Sequence, residues 1–144
     1  MSNKYEEGIA FILEGDTEKE FYLSLLEFLC KKHDGILERQ LDCSNSPDII
    51  YTLKTPSRHL LIKFNTVNTV TQMPHSSRWF ISQCKNKHRD VGSWIVFLCY
   101  DLDNYKNDIT KFYEGDWVNL RTSLKKKAKA VHDIAAAADI EDII

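Results

Sequence analysis

The chain has 144 residues and a formal net charge of −2 at neutral pH, with 43% hydrophobic and 28% charged residues. Its length suits one domain with a sizeable core, and its composition excludes a disordered chain. The small negative charge excludes a positive field over the whole protein, so nucleic-acid binding would need a local basic patch.

The sequence carries no sign of secretion or membrane insertion. No apolar run approaches the roughly 18 residues that a membrane-spanning helix needs. The first residues, MSNKYEEG, are polar and acidic, unlike a signal peptide. The four cysteines lack CxxC pairing, which favours reduced thiols over a zinc site or a disulfide framework. We therefore expect a cytoplasmic protein with no membrane partner.

The first predicted elements are a strand and a helix joined by an acidic turn. Ile9 to Leu13 form a continuous apolar run, IAFIL, which favours a strand buried on both faces. The run ends at Glu14-Gly15-Asp16. Thr17 and Glu20 match a capping box, so we predict that Thr17 opens a helix that reaches about Lys32.

The middle of the chain predicts a β-hairpin and a second helix. After a less regular stretch that includes residues 44–47, Asp48 to Lys54 and Arg58 to Asn65 are typical of two strands joined by a turn. Residues 66–76 favour no single element. Ser77 is placed to cap a helix that reaches about His88.

The last part of the chain predicts a buried strand, an acidic loop and a helix. Ser93 to Tyr100, SWIVFLCY, is rich in strand-forming residues. The apolar spacing around Trp117 predicts a helix to about Val131, which residues 134–138 either continue or restart. Strands that alternate with helices favour an open α/β sheet with parallel central strands and helices on both faces. We expect one domain over residues 1–144, and the unfinished apolar rhythm of ADIEDII suggests the N-terminal part of a longer chain.

Carboxylates follow both apolar strands at the point where each strand ends. Glu14 follows IAFIL, and Asp101 and Asp103 follow WIVFLCY. Because sites in open α/β sheets form outside the carboxyl ends of the strands, we expect these groups to converge if the two strands are neighbours. Asp101 and Asp103 would face the same way if extended geometry persists. Crowded carboxylates repel, and a divalent cation such as Mg²⁺ removes that cost. The alternative is that the acidic residues are ordinary turn formers.

The segments FILEGDTEKEFY and VFLCYDLDN resemble the two motifs of the Toprim domain, which topoisomerases, bacterial primases and the OLD-type nucleases share. In that pattern a strand ends in Glu-Gly, a helix follows, and a later strand ends in Asp-x-Asp. The matching residues here are Glu14, Gly15, Asp101 and Asp103, and the run EG-x-T-E-K is most similar to the OLD-type branch. With 86 residues between Glu14 and Asp101, the chain is longer here than a minimal Toprim core, and the hairpin at 48–65 would be the insertion.

The resemblance implies Mg²⁺- or Mn²⁺-dependent phosphoryl transfer on nucleic acid. It implies that Asp101 and Asp103 hold the metal, and that Glu14 is a general acid or base or a further ligand. Glu18 would be an outer metal ligand, and Glu141 an additional carboxylate.

The resemblance also bears on partners and on rival functions. OLD-type proteins pair the Toprim domain with an ATPase, and this chain has no P-loop motif, so an ATPase would be absent or on another chain. The expected substrate is DNA or RNA. One rival is a catalytically degenerate Toprim-like module that binds a partner or nucleic acid. The other is a haloacid-dehalogenase-type phosphatase with Asp101 as nucleophile, although its motif usually lies near the N-terminus.

Other polar and aromatic residues allow both a functional and a structural interpretation. Two basic clusters either contact a phosphate backbone or keep helix ends soluble. His75 and His132 are either acids or ligands, or ordinary surface histidines. Ser76 and Ser77 have no companion that suggests a nucleophile. The three tryptophans lie in apolar contexts that predict core positions rather than base-stacking platforms. The basic clusters comprise Lys85, Lys87, His88 and Arg89, then Lys125, Lys126, Lys127 and Lys129; the tryptophans are Trp79, Trp94 and Trp117.

Overall fold

The computed structural model describes residues 3–42, 48–109 and 111–136. In this part of the chain six strands form one sheet in the order β2-β3-β4-β1-β5-β6. The strands are β1 (Tyr5–Leu13), β2 (Ile36–Asp42), β3 (Asp48–Lys54), β4 (His59–Thr66), β5 (Val91–Asp101) and β6 (Ala130–Ala136). The helices are α1 (Asp16–Lys32), a 3₁₀ helix (Val70–His75), α2 (Ser76–Trp79) continued by a π-helical turn (Phe80–Lys85), α3 (Leu102–Asp108) and α4 (Lys111–Lys127).

The centre of the sheet is parallel, as the sequence predicts. β1 pairs in parallel with β4 on one side and β5 on the other, and β6 extends the parallel part beyond β5. β2 and β3 are antiparallel, and β3 is joined to β4 as the predicted hairpin. The hairpin belongs to the main sheet, because its second strand lies directly beside β1.

Helices cover both faces of the sheet. Along β1, alternate residues point to opposite faces, so Ala10 and Ile12 join one core while Phe11 and Leu13 join the other. The first core is closed by the 3₁₀ helix, the π-helical turn and α4, and the second by α1. β1 is therefore buried on both faces, which explains its continuous apolar run. No described helix is long and apolar enough to cross a membrane.

Gly8 allows a close contact across the centre of the sheet. A Cβ atom at this position would lie 2.6 Å from the ring of Trp94, which is 2% exposed. The large indole thus fills the space that a side chain on β1 would occupy.

Both predicted helix caps are wrong. The N-cap of α1 is Gly15, with no side-chain cap, and Thr17 lies inside the helix. The N-cap of α2 is His75, and Ser77 also lies inside its helix. In each case the chain turns into the helix earlier than the capping pattern predicts, directly from the end of β1 or from the 3₁₀ helix.

Three further elements differ from the sequence predictions. β2 occupies a stretch that we expected to be irregular, and its exposed Ile36 and Leu41 at the sheet edge hide its alternation. β6 replaces the expected end of a helix, because pairing with β5 from Ala130 to Ala136 outweighs the helical preference of alanine. The expected acidic loop after β5 is the helix α3. The predictions for residues 44–47 and for Glu141 lie outside the described residues.

Candidate active site

Glu14 and Asp101 lie at the same edge of the sheet. β1 and β5 are adjacent parallel strands in register from Tyr5↔Val91 to Leu13↔Cys99, so both strands end at this edge. The ends of the two strands are therefore neighbours, as expected.

The carboxylate of Glu14 joins the two strand ends directly. Its Oε1 accepts a hydrogen bond from the backbone N–H of Asp101 (2.8 Å), and its Oε2 accepts one from Nδ2 of Asn104 (3.2 Å). Asp101 Oδ1 in turn accepts from the backbone N–H of Asn104 (3.2 Å), which is N-cap geometry for α3. The start of α3 is thus fixed against the end of β1.

The environment of Glu14 disfavours its charged form. The residue is 8% exposed, and this burial raises the pKa of its carboxyl group. The hydrogen bonds from Asp101 and Asn104 lower the pKa, while the nearby carboxylates of Glu18 and Asp101 raise it further, and the balance is a raised pKa. Glu14 therefore holds a proton to a higher pH than an ordinary glutamate.

Glu18 lies in the first turn of α1 and bends back toward the same edge. A Cβ atom at Gly15 would lie 3.2 Å from Glu18 Oε2. The absence of a side chain at Gly15 leaves room for this carboxylate beside the turn between β1 and α1. The backbone of Gly15 is extended (φ −151°), so no unusual backbone conformation requires glycine here, and an added Cβ would meet only the carboxylate of Glu18.

The extended geometry expected for Asp101 and Asp103 is wrong. Asp101 ends β5, whereas Asp103 lies inside α3. In an α-helix, residues two apart point in very different directions, because each residue turns the chain by about 100°. The strand argument for a shared face therefore fails, and the side chain of Asp103 lies outside what the structure describes.

A polar pocket lies at the same edge of the sheet, at the end of β4. The backbone N–H of Val67 donates to the carbonyl of Leu13 (2.9 Å), which joins the residues after β4 to the end of β1. Here a pocket of about 220 Å³ is lined by Asn65, Val67, Gln72, His75 and Ser76. Asn65 Nδ2 donates to the buried hydroxyl of Ser76 (3.2 Å), and His75 is exposed at this pocket.

The tryptophans, His132 and the described cysteines that the sequence singled out lie in the core or pack on neighbouring side chains. Trp94 and Trp117 are core residues (2% and 0% exposed), as predicted, and Trp79 packs against the same core. His132 is exposed and stacks on Phe97, with ring centroids 5.5 Å apart. Three of the cysteines, Cys30, Cys84 and Cys99, are buried free thiols, as predicted, and Cys43 lies outside the described residues.

Sequence reasoning missed a polar network behind the site. The Tyr100 hydroxyl donates to Asp133 Oδ2 (2.8 Å), and the Arg121 guanidinium contacts the same oxygen (2.6 Å). Burial, with Asp133 beside it, raises the pKa of Tyr100 to about 12. The network joins β5, β6 and α4 one residue before Asp101. The only sequence signal was a tyrosine at the polar end of an apolar strand.

The oxygen donors at this edge match a hard divalent cation in ligand type, but the described side chains do not form a metal-binding group. Glu14, Glu18 and Asp101 offer carboxylate oxygens only, the ligand type that Mg²⁺ prefers. Each Glu14 oxygen accepts one hydrogen bond, which leaves lone pairs for a further ligand. Among the residues whose side chains the structure describes, however, no three His, Cys, Asp or Glu side chains form a group that could hold a metal.

Comparisons with known proteins identify no family. No protein-family model matches the chain, and no curated protein matches it.

Proposed function

We propose that this chain is a metal-dependent Toprim-type nuclease, which transfers a phosphoryl group on DNA or RNA with the help of Mg²⁺ or Mn²⁺. One observation carries the proposal. A buried glutamate with a raised pKa lies hydrogen-bonded to the residue that ends the neighbouring parallel strand, which is an aspartate. Perturbed carboxylates at the carboxyl edge of an open sheet are typical of functional sites.

Glu14 is the proton-transferring group in this proposal. General acid–base catalysis is most effective when the pKa lies near the working pH, and burial shifts the pKa of Glu14 in that direction. Its two hydrogen bonds, to Asp101 and Asn104, hold the carboxylate in one orientation. An oriented carboxyl group with a raised pKa can exchange a proton with a nucleophile or a leaving oxygen.

Glu14 would be a further metal ligand only in place of its proton-transferring role, because a metal-bound carboxylate is ionised. Asp101, Asp103 and Glu18 are the other residues that would hold the cation. When bound, it would neutralise charge on phosphate oxygens and orient the nucleophile. Without it, burial and the nearby carboxylates of Glu18 and Asp101 raise the pKa of Glu14. Asp101 has a second role, because it caps α3 and so fixes the segment that carries Asp103.

In this proposal the pocket at the end of β4, which lies at the same edge of the sheet as the carboxylates, receives part of the substrate. Asn65 and Gln72 offer amide groups, and His75 an imidazole, which are groups that contact bases and sugars. The chain lacks a P-loop motif, so any ATP-driven step would depend on a partner ATPase, as in OLD-type proteins.

The test is cleavage by a Glu14→Gln variant. Glutamine keeps the size of the side chain but cannot transfer the proton, so Mg²⁺-dependent nicking of DNA or RNA should fall by roughly 100-fold or more. The assay measures single-turnover rates for the chain alone and with candidate partner proteins. Glu20→Gln, a neutralisation on the exposed side of α1, is the matched control and should keep the parent rate. Equal rates in the parent and Glu14→Gln would contradict the role of Glu14.

A catalytically degenerate binding module is the second candidate. One observation favours it: the hydrogen bonds of Glu14 already give this residue a structural role in holding the start of α3. The module predicts nucleic-acid or protein binding without any metal-dependent cleavage. A haloacid-dehalogenase-type phosphatase would instead hydrolyse small phosphomonoesters, and would depend on Asp101 far more than on Glu14.

A further inference from the structure

A second cavity lies at the opposite edge of the sheet, where β1 and β5 begin. Its volume is about 430 Å³, within the range of small-molecule sites. The backbone N–H of Tyr5 donates to the carbonyl of Asp90 at this edge (3.1 Å). With about 3.3 Å per strand residue, Tyr5 at the basic end of this cavity lies roughly 30 Å from Glu14 along β1.

The lining of this cavity is basic. Lys4, Lys87 and Arg89 contribute three cations against the single carboxylate of Asp90. Lys4 and Arg89 are exposed and Lys87 is half-buried, so a ligand can reach all three. This local excess of positive charge stands out in a chain whose formal net charge is −2.

A buried lysine lies behind the floor of the cavity. His88 lines the cavity and is 8% exposed, and Lys63 is 1% exposed. Lys63 Nζ lies 3.2 Å from His88 Nε2 and donates to the carbonyl of Gln83 (2.6 Å). These contacts join β4 to the segment before β5 directly behind the basic lining of the cavity.

We propose that this cavity binds a phosphate group. The planar guanidinium of Arg89 can donate two parallel hydrogen bonds to a phosphate, while Lys4 and Lys87 act as point charges around it. Tyr5 and Ile50 form an apolar wall for the organic part of a phosphate ester. The phosphate belongs either to a free nucleotide or to a nucleic-acid strand. The site is remote from Glu14 and does not depend on the proposed nuclease activity.

Amide chemical shifts of the intact chain test this proposal. Titration with inorganic phosphate, then ADP, then a short oligonucleotide with and without a 5′-phosphate, should give saturable shifts at residues 4–5 and 87–91. The Glu14 edge should not shift without divalent metal. Similar affinity for ADP and the phosphorylated oligonucleotide identifies a nucleotide site. Oligonucleotide affinity that is at least about tenfold higher and falls with salt identifies a strand site. No saturable shift at about 10 mM phosphate ester, a concentration that detects very weak sites, overturns the proposal.

Charge-neutralising variants complete the test. Lys87→Gln with Arg89→Gln should weaken phosphate-ester binding by about tenfold or more, since each removes a charged hydrogen bond. Lys4→Gln, at an exposed position, should weaken it in the same direction. The control, Lys125→Gln with Lys126→Gln on the exposed last turn of α4, makes the same charge change and should stay within about twofold of the parent. Equal losses in the cavity variants and the control would overturn the site. Thermal melts verify that each variant folds.

Discussion

The two ends of β1 hold glutamates in opposite electrostatic surroundings. Glu7, near its start, contacts Lys129 (3.0 Å) and Arg58 (2.8 Å). The hydrogen bond from Lys129, with help from Arg58, lowers the pKa of Glu7 against the effect of burial. Glu14, just past its end, is buried near Glu18 and Asp101, and its pKa is raised.

This difference separates a structural carboxylate from a candidate functional one. The ion pairs of Glu7 stabilise its charged form and join β1 to β4 and to the segment before β6. The surroundings of Glu14 work against its charge, although it lies on the same strand and in the same fold. The hydrogen bonds of Glu14 hold the start of α3, but its burial near Glu18 and Asp101 disfavours its charged form. In the proposed function, a bound metal or a transferred proton accounts for this arrangement.

The largest expected effect is the rise in melting temperature when a divalent metal is added. If carboxylates at the Glu14 edge bind Mg²⁺ or Mn²⁺, the cation at about 100 times its Kd should stabilise the fold by about 2.7 kcal/mol. For a chain of this size that corresponds to a rise in melting temperature of about 5–10 °C. Asp101→Asn with Asp103→Asn should abolish this rise and leave the metal-free melting temperature unchanged or higher, because repulsion falls and asparagine still caps α3.

The control for this measurement is Asp108→Asn with Asp116→Asn, two exposed aspartates on α3 and α4. This variant should respond to metal as the parent does. A full response to Mn²⁺ in the Asp101/Asp103 variant would mean that the ions bind elsewhere.

The next effect concerns the strand that links the two edges. Gly8→Ala places a Cβ 2.6 Å from the Trp94 ring, and overpacking of this kind costs about 1–3 kcal/mol. Urea denaturation should show this loss at every pH from 4 to 8. Because both glutamates keep their neighbours, the shape of the stability-versus-pH curve should match that of the parent. A changed shape would mean that the two edges are coupled through β1.

The smallest expected effects are changes in the pH dependence of stability, and they test the contrast between Glu14 and Glu7 most directly. Glu14 has a folded pKa above its ordinary value of 4.5, so the folded state binds the proton more tightly than the unfolded state does. The parent should therefore lose stability relative to Glu14→Gln as the pH rises from 4.5 through the folded pKa. The loss is about 1.4 kcal/mol for each tenfold difference in proton affinity between the two states. Denaturation in the presence of a chelator measures it.

Glu7→Gln should show the opposite sign. The pKa of Glu7 is lowered, so its contribution is present at neutral pH and disappears as the pH falls through the folded pKa. Surface ion pairs of this type contribute about 0.2–1 kcal/mol, and salt should reduce the effect. The same pH slope for both variants would refute the contrast between the two ends of β1.

The strands that could be predicted from the sequence are those whose burial leaves a local pattern. The apolar runs of β1 and β5, the hairpin of β3 and β4 and the carboxylates after two strands were predictable, because complete burial requires apolar residues and strand ends tolerate polar ones. The placement of Glu14 beside Asp101 followed from the rule that parallel strands end at one edge. The identity of the Toprim-like motif and its metal remain predictions.

Features that depend on partners distant in sequence could not be predicted and are seen only in the folded chain. β6 is a strand because it pairs in parallel with β5, and its alanine-rich sequence has no pattern that predicts this pairing. The start of α3 is fixed against β1 because Glu14, 87 positions before Asp101, accepts hydrogen bonds from Asp101 and Asn104. The ammonium group of Lys63 is buried where it donates to a carbonyl of the π-helical turn and contacts His88. Each outcome depends on hydrogen bonds across the fold, which local composition cannot encode.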